Sequence, residues 1–141
     1  MLTNQTGRSM VEMLGVLAIA AIITLGGLSG YRMAMNKFRA NGIAELIAIA
    51  SIYAQAHNTA IASFSDLEDE YDEALPECVS DISAGTDGKV TITFEASDHC
   101  ADIMSMVGAS FGKCRWTADD TNHKGSFNPT ADAVKADGTC A

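Results

Sequence analysis

Glu12 is an acidic side chain at the edge of a long apolar stretch, and this position calls for a chemical explanation. Residues 13–31 read MLGVLAIAAIITLGGLSGY and contain no charged side chain. A carboxylate beside such a stretch is costly to bury unless a cation neutralises it. The sequence therefore predicts that Glu12 pairs with a positive charge in apolar surroundings. The alternative is that its carboxylate simply reaches the water at a membrane surface.

Four cysteines form the second group of residues whose side chains can do chemistry, and all of them lie in the second half of the chain. An even number of cysteines in a small domain beyond a membrane segment predicts two disulfides and an oxidising compartment. No pair has the C-x-x-C spacing of a zinc or thioredoxin-like site. His99, beside Cys100, is a residue type that binds metals, but we interpret it as a surface histidine next to a bridged cysteine. We therefore expect no metal site. The cysteines are Cys78, Cys100, Cys114 and Cys140.

The pairing of these cysteines can be narrowed by one geometric argument. Cys100 and Cys114 flank a predicted helix, which would hold them about 20 Å apart, whereas bridged Cα atoms lie within about 7 Å. Two of the three possible pairings remain. We favour Cys78–Cys100 with Cys114–Cys140, because the second bridge closes the polar C-terminal loop. Each bridge is expected to add about 2–4 kcal/mol to the free energy of unfolding.

No arrangement of residues typical of catalysis or of nucleotide binding is apparent in the sequence. The glycine-rich GGLSG lies inside the apolar stretch, where a phosphate-binding loop has no place. Four acids of the segment 66–77 match ligand positions of a calcium loop, but Tyr71 stands where that loop needs glycine, so we favour a solvated acidic face. The chain is therefore expected to be non-enzymatic and to need no cofactor. The four acids are Asp66, Glu68, Glu70 and Glu77.

The charge of the chain is unevenly distributed. Residues 1–39 contain four basic side chains and one acidic one, Glu12, so their net charge is +3. The net charge of the whole chain is −9, so residues 40–141 carry a net charge of −12. Such an acidic domain argues against nucleic acid as a partner.

The elements that position these residues begin with one long helix. No proline occurs from Ser9 to Thr59, which permits a helix of about 50 residues and about 75 Å. Its first half, residues 8–31, is apolar all round and long enough to span a membrane. It is also longer than the core of a signal peptide, and no small-residue cleavage site precedes Gly30. Gly26-Gly27 is the point where we expect the helix to loosen most easily.

The second half of the helix, residues 32–62, shows a single apolar stripe, which predicts that it packs on a domain formed by residues 63–141. In that domain a capping box at Ser65 predicts a short acidic helix that Pro76 ends. The turn signal Asp87-Gly88 separates a weak strand from a clear one at Val90–Phe94. A second helix is expected from Ser97 to Gly112. From Cys114 onward the chain is polar and turn-rich. The stripe consists of Ile43, Leu46, Ile47, Ala50, Tyr53, Ala54, His57 and Ile61.

These patterns together predict an α+β protein. A long N-terminal α-helix has an apolar transmembrane half and an amphipathic half, and it packs on a small disulfide-bonded domain with an antiparallel sheet and a short helix. Residues 1–7, MLTNQTG, form a short polar segment ahead of the helix.

The stretch GRSMVEMLG, residues 7–15, resembles the processing site of type IV pilins and of the pseudopilins of type II secretion. In that family a prepilin peptidase cuts after a glycine, and the mature chain has glutamate as its fifth residue, ahead of a long apolar helix. The resemblance covers residues 7 to about 60 by motif. It implies that residues 1–7 are a leader peptide, that Gly7–Arg8 is the scissile bond and that Arg8 becomes the N-terminus.

The resemblance also implies a function and a location. The subunit would enter the bacterial inner membrane and then polymerise, with the pilus assembly machinery, into an extracellular pilus or a periplasmic pseudopilus. Glu12 would bind the new N-terminus of a neighbouring subunit and set the axial register. Two disulfides and a long closed C-terminal loop favour a pilin over a pseudopilin. The predicted helix after the strand, with the cysteine-closed C-terminus, resembles the type IVb pattern more than the type IVa pattern. A membrane-anchored binding protein that never polymerises is the alternative from another class.

Some features depart from the family pattern. Arg8 stands where the family usually has phenylalanine or methionine, no basic residue precedes Gly7, and the apolar half lacks a proline. Basic residues follow the apolar stretch at Arg32, Lys37 and Arg39, which by the positive-inside rule would leave the domain in the cytoplasm. The four cysteines argue for export, and we give them more weight.

Overall fold

The computed structural model describes residues 5–131, 137 and 139–140, with side chains from Ser9 onward. The predicted fold class is confirmed: the chain has a long N-terminal helix, a four-stranded antiparallel sheet, a short helix and two disulfides. By its internal contacts the chain divides into one unit of residues 1–35 and one of residues 36–141.

Helix α1 covers Gln5–His57 and continues unbroken through Gly26-Gly27. It ends five residues before the predicted end at residue 62. Asn58 adopts a left-handed conformation with φ of 50°. The Thr59 N–H then bonds to the Ala54 carbonyl and the Asn58 N–H to the Gln55 carbonyl, which closes the helix in a Schellman motif. Ile61 was predicted to continue the stripe, but it exchanges two backbone hydrogen bonds with Ala84 instead.

The acidic helix predicted to begin at Ser65 is wrong, because only a 3₁₀ helix forms there, at Phe64–Asp66. The Asp66 carboxylate accepts hydrogen bonds from the backbone of Ala62 and Ser63, so the cap lies two residues earlier than predicted. Acidic side chains crowd positions 68–73, and like charges three and four residues apart disfavour an α-helix. Leu67 is nevertheless buried, as the spacing of the apolar residues predicts.

The sheet contains β1 (Val79–Ala84), β2 (Val90–Phe94), β3 (Trp116–Asp119) and β4 (Lys124–Phe127), in the order β1-β2-β4-β3. The predicted hairpin joins β1 to β2, and Gly88 takes the positive φ that its turn requires. The Ser51 hydroxyl donates to the Gly88 carbonyl at 2.8 Å and ties this turn to α1. Strands β3 and β4 lie in the segment expected to be irregular, where their four-residue length gives too little alternation to detect.

Helix α2 covers Asp98–Phe111, as predicted. The Ser97 hydroxyl caps it by accepting from the Cys100 N–H at 3.1 Å, and Gly112 ends it with a φ of 84°. Together α2, the sheet and the second half of α1 enclose one apolar core. Its fully buried side chains include Ile43, Leu46, Ile47, Leu67, Ile82, Ile92, Ile103 and Val107.

Candidate functional site

The N-terminal part of α1 contains the residues to which the sequence assigned processing and assembly. Gly7 and Arg8 lie within the first turns of α1, and Glu12 follows one turn after Arg8. Glu12 is exposed, and it takes part in a contact with another residue.

The helix that carries Glu12 exposes a long apolar surface. Every described side chain from Ser9 to Ala34 is exposed, and large apolar residues such as Leu28 and Ile22 are 52% and 71% exposed. One polar group in this stretch is satisfied locally, since the Thr24 hydroxyl donates to the Ala20 carbonyl at 2.7 Å. By length and composition α1 can cross a membrane, with a mean hydropathy of 2.2 in its most apolar window.

The glycines of this stretch are open to their surroundings. A Cβ added at Gly15, Gly26, Gly27 or Gly30 would meet no atom within 4 Å. No contact within the described chain therefore requires glycine at these positions. Glycines with such open surroundings allow another helix to approach closely. A lipid environment would tolerate the same glycines equally well.

The cysteines form the two bridges that we favoured from the sequence. Cys78 and Cys100 have Cα atoms 5.3 Å apart and are both buried, whereas Cys114 and Cys140, 5.4 Å apart, join the end of α2 to the C-terminal segment. The first bridge fixes the start of β1 to the first turn of α2. The second closes a loop that contains β3 and β4, so both bridges stabilise the domain.

Two of the four acids that match ligand positions of a calcium loop have other partners. Asp66 caps the 3₁₀ helix, and Glu77 Oε2 lies 2.7 Å from Arg39 Nη2. Among the described residues no three His, Cys, Asp or Glu side chains converge as a metal site. His99 Nε2 lies 3.0 Å from Arg39 Nη1, and since a guanidinium only donates, this nitrogen accepts the hydrogen bond.

A groove of about 640 Å³ lies between α2 and β3. Trp116 forms part of its wall and rests against glycines on both sides, because a Cβ at Gly108 or at Gly125 would collide with the indole ring. The polar groups of the groove are Ser105, Lys113 and Asp120. These side chains can donate or accept hydrogen bonds, and the described residues that line the groove include no histidine or cysteine. Nothing in the sequence indicated this groove, because β3 itself was not predicted.

No protein-family model, no curated protein and no solved structure matches this chain.

Proposed function

We propose that this protein is a type IV pilin-like structural subunit, which a prepilin peptidase cleaves between Gly7 and Arg8 and which polymerises into a filament through the apolar half of α1. The observation that carries the proposal is the continuous apolar surface of residues 9–34 with Glu12 near its start. Such a surface needs to be covered by lipid or by other apolar helices. In a subunit that passes from a membrane into a helix bundle, lipid covers this surface first and the helices of other subunits cover it afterwards.

Glu12 has a specific role in this mechanism. Cleavage creates an α-amino group, which has a pKa of about 8 and is therefore positively charged at neutral pH. A glutamate enclosed by apolar helices is stable only beside a cation. The amino group of a neighbouring subunit supplies that cation at one axial offset, so the pair selects the register of assembly.

The route of the subunit follows from the same features. The apolar half of α1 holds the chain in the bacterial inner membrane before assembly. The two disulfides require that the domain of residues 36–141 reach an oxidising compartment. The final location is an extracellular pilus, and the disulfide-closed C-terminal loop favours this over a periplasmic pseudopilus.

A membrane-anchored binding protein that never polymerises is the second candidate function. The groove between α2 and β3 favours it, because an open cavity with mixed polar and apolar walls is a common ligand site. The two functions differ in one respect: only the filament subunit needs Glu12.

Assembly of Glu12 variants in cells with a functional pilus machinery tests the proposal. Glu12→Ala and Glu12→Gln are expected to stay in the membrane at normal levels but to give at least about tenfold fewer sheared filaments, since the buried amine loses its partner. Glu68→Ala, which removes an exposed acid outside α1, is the matched control and is expected to assemble normally. Normal filaments from both Glu12 variants would refute the register role.

A further inference from the structure

The groove between α2 and β3 continues toward the start of α2. A second cavity, of about 330 Å³, is lined by residues that include Asp98 and His123. It shares Ala101, Met104 and Asp120 with the groove of about 640 Å³. The two cavities are therefore continuous, and we call them together the long groove. It follows α2 from the last turn of the helix to the first.

One side of the long groove is the open edge of the sheet. Strand β3 is the last strand in the sheet order, so no further strand of the described chain pairs with its outer edge. The Asn128 N–H donates to the Arg115 carbonyl at 2.8 Å, so the backbone groups of Arg115 face β4. Backbone groups of successive strand residues point to alternate sides. The N–H and C=O groups of Trp116 and Ala118 therefore point to the outer edge, beside the groove that both residues line.

The other side of the long groove leaves room for the side chains of an occupant, because most residues of α2 that line it are small. The apolar part of the lining includes Met104 and Trp116. Nε1 of Trp116 is buried and has no hydrogen-bond partner among the described residues. A buried donor without an acceptor is rare in folded proteins, so the packing is incomplete at this wall. The small residues are Ala101, Ser105, Gly108, Ala109 and Gly112.

The long groove carries negative charge at one end. Asp98 and Asp120 are exposed there, and neither carboxylate forms an ion pair with a described residue. Lys113 lines the groove at its other end, just beyond α2. An occupant with a basic side chain at the Asp98–Asp120 end therefore has the complementary charge.

We propose that an extended peptide segment of another protein binds in the long groove as a fifth strand, antiparallel to β3, with a basic side chain at its N-terminal end beside Asp98 and Asp120. Backbone hydrogen bonds to Trp116 and Ala118 hold the segment, and every second side chain enters the groove. Antiparallel pairing is the more stable kind. Because β3 runs toward Asp120, an antiparallel segment begins at that end. All these residues belong to the unit of residues 36–141, so the site goes beyond the filament function and does not depend on it.

Titration of the full-length chain in detergent micelles with the pentapeptide acetyl-Lys-Thr-Val-Thr-Val-amide tests the proposal. In the proposed register its lysine lies opposite Asp120, and its valines lie opposite Ala118 and Trp116, on the groove side of the strand. Fluorescence of Trp116, the one tryptophan of the chain, reports binding. Glutamate in place of the lysine is expected to weaken binding at least about tenfold, because it brings like charges together. Absence of binding by the lysine peptide would overturn the proposal.

N-methylated peptides separate strand pairing from simple filling of the groove. In the proposed register the N–H of the central valine points to the Ala118 carbonyl, whereas the N–H of the second threonine points away from β3. Methylation of the valine nitrogen is expected to weaken binding about tenfold, and methylation of the threonine nitrogen about twofold or less. Equal effects of the two methyl groups would contradict pairing with β3.

The direction of the segment is tested by the reversed peptide, acetyl-Val-Thr-Val-Thr-Lys-amide, which has the same composition. Antiparallel pairing would place its lysine at the Lys113 end of the groove, so it is expected to bind at least about fivefold less tightly. Equal binding of the two peptides would contradict the antiparallel arrangement.

Neutral variants test the acidic end. Asp98→Asn and Asp120→Asn are each expected to weaken binding of the lysine peptide about threefold, since an exposed ion pair contributes little. Asp102→Asn, which changes an exposed acid of α2 outside the groove lining, is the matched control and should leave binding unchanged. Unchanged binding in both groove variants would refute the role of charge.

A pair of serines on α2 tests the location of the site. Ser105 and Ser110 are both exposed, and of the two only Ser105 lines the groove. Ser105→Phe fills the groove and is expected to weaken binding at least about tenfold, whereas Ser110→Phe should bind as the unaltered chain does. Binding that survives Ser105→Phe would overturn the site.

The peptide site and the filament function fail in different ways. Peptide binding by a chain that never forms filaments would support the site and contradict the filament function. Normal filaments from a chain that binds no peptide would support the function and contradict the site.

Discussion

Arg39 binds both segments that the Cys78–Cys100 bridge joins. Its Nη2 lies 2.7 Å from Oε2 of Glu77, the residue before Cys78, and its Nη1 lies 3.0 Å from Nε2 of His99, the residue before Cys100. One side chain of α1 therefore ties together the start of β1, the first turn of α2 and the long helix. The disulfide and the guanidinium hold the same junction by covalent and by electrostatic means.

Replacing Arg39 tests how much this junction depends on charge. Because the Arg39 and Glu77 side chains are 30% and 58% exposed, Arg39→Ala is expected to lower the free energy of unfolding by no more than about 1 kcal/mol. Urea unfolding of the full chain in detergent, followed by fluorescence of the one tryptophan, Trp116, measures the change. The ¹⁵N shifts of His99 are expected to show the Nδ1–H tautomer in the unaltered chain. A decrease of more than about 3 kcal/mol in the free energy of unfolding would instead show that Arg39 and Glu77 behave as a buried ion pair.

The two disulfides are expected to differ in their access to reductant. Cys78 and Cys100 are 2% and 3% exposed, whereas Cys140 is exposed and Cys114 is half-buried. Thiol–disulfide exchange needs approach of a thiolate to sulfur, so mild reduction of the native chain should open Cys114–Cys140 first. Timed alkylation with peptide mass spectrometry measures the order. Faster opening of Cys78–Cys100 would contradict the burial of that bridge.

Gly108 and Gly42 form a matched pair of helix glycines with opposite expected effects. A Cβ at Gly108 would meet the indole of Trp116, with Nε1 at 2.7 Å, and the ring cannot retreat because Gly125 lies on its other side. Gly108→Ala is therefore expected to lower the free energy of unfolding by about 1–2 kcal/mol. Gly42→Ala meets no atom and should raise it by about 0.5–1 kcal/mol. Equal effects in urea unfolding would contradict the packing of Trp116.

Tyr71 gives a prediction for alkaline pH. Burial raises the pKa of its hydroxyl above the ordinary value of 10.0, and the charges of Glu73 and Glu45 raise it further. The unfolded chain therefore loses this proton before the folded chain does, so the free energy of unfolding falls as pH rises above about 10. Tyrosine ionisation is followed by ultraviolet absorbance as pH rises. The titration curve of the unaltered chain minus that of Tyr71→Phe gives the ionisation of Tyr71 alone. Glu73→Gln should move the difference curve toward lower pH; an unchanged curve would contradict the charge effect.

The sequence was most informative where one residue type has one structural use. Ser97 and Gly112 fixed both ends of α2, and Asp87-Gly88 fixed the hairpin, because few conformations other than a cap or a turn suit these residues. The helix between Cys100 and Cys114 excluded one of the three disulfide pairings. Of the two that remained, the pairing favoured because it closes the C-terminal loop is the one observed.

One error was local: α1 ends early because the left-handed Asn58 closes it in a Schellman motif, a stop signal that was overlooked. The other errors came where tertiary contacts decided the local structure, as where Ile61 pairs with Ala84 across the sheet edge. Strands β3 and β4 are too short to show a period, and they exist because Trp116 and Phe127 pack in the same core as β2. The bridge at Ile61 and the strands β3 and β4 cannot be read from neighbouring residues alone.

The mass of the chain isolated from cells with an active prepilin peptidase tests the central claim most directly. The filament mechanism requires the amine that cleavage creates, because without it Glu12 loses the cation proposed to set the register. The account predicts a mature chain that begins at Arg8, with a mass lower by four hydrogens for the two disulfides. A chain that keeps Met1 in those cells would contradict it.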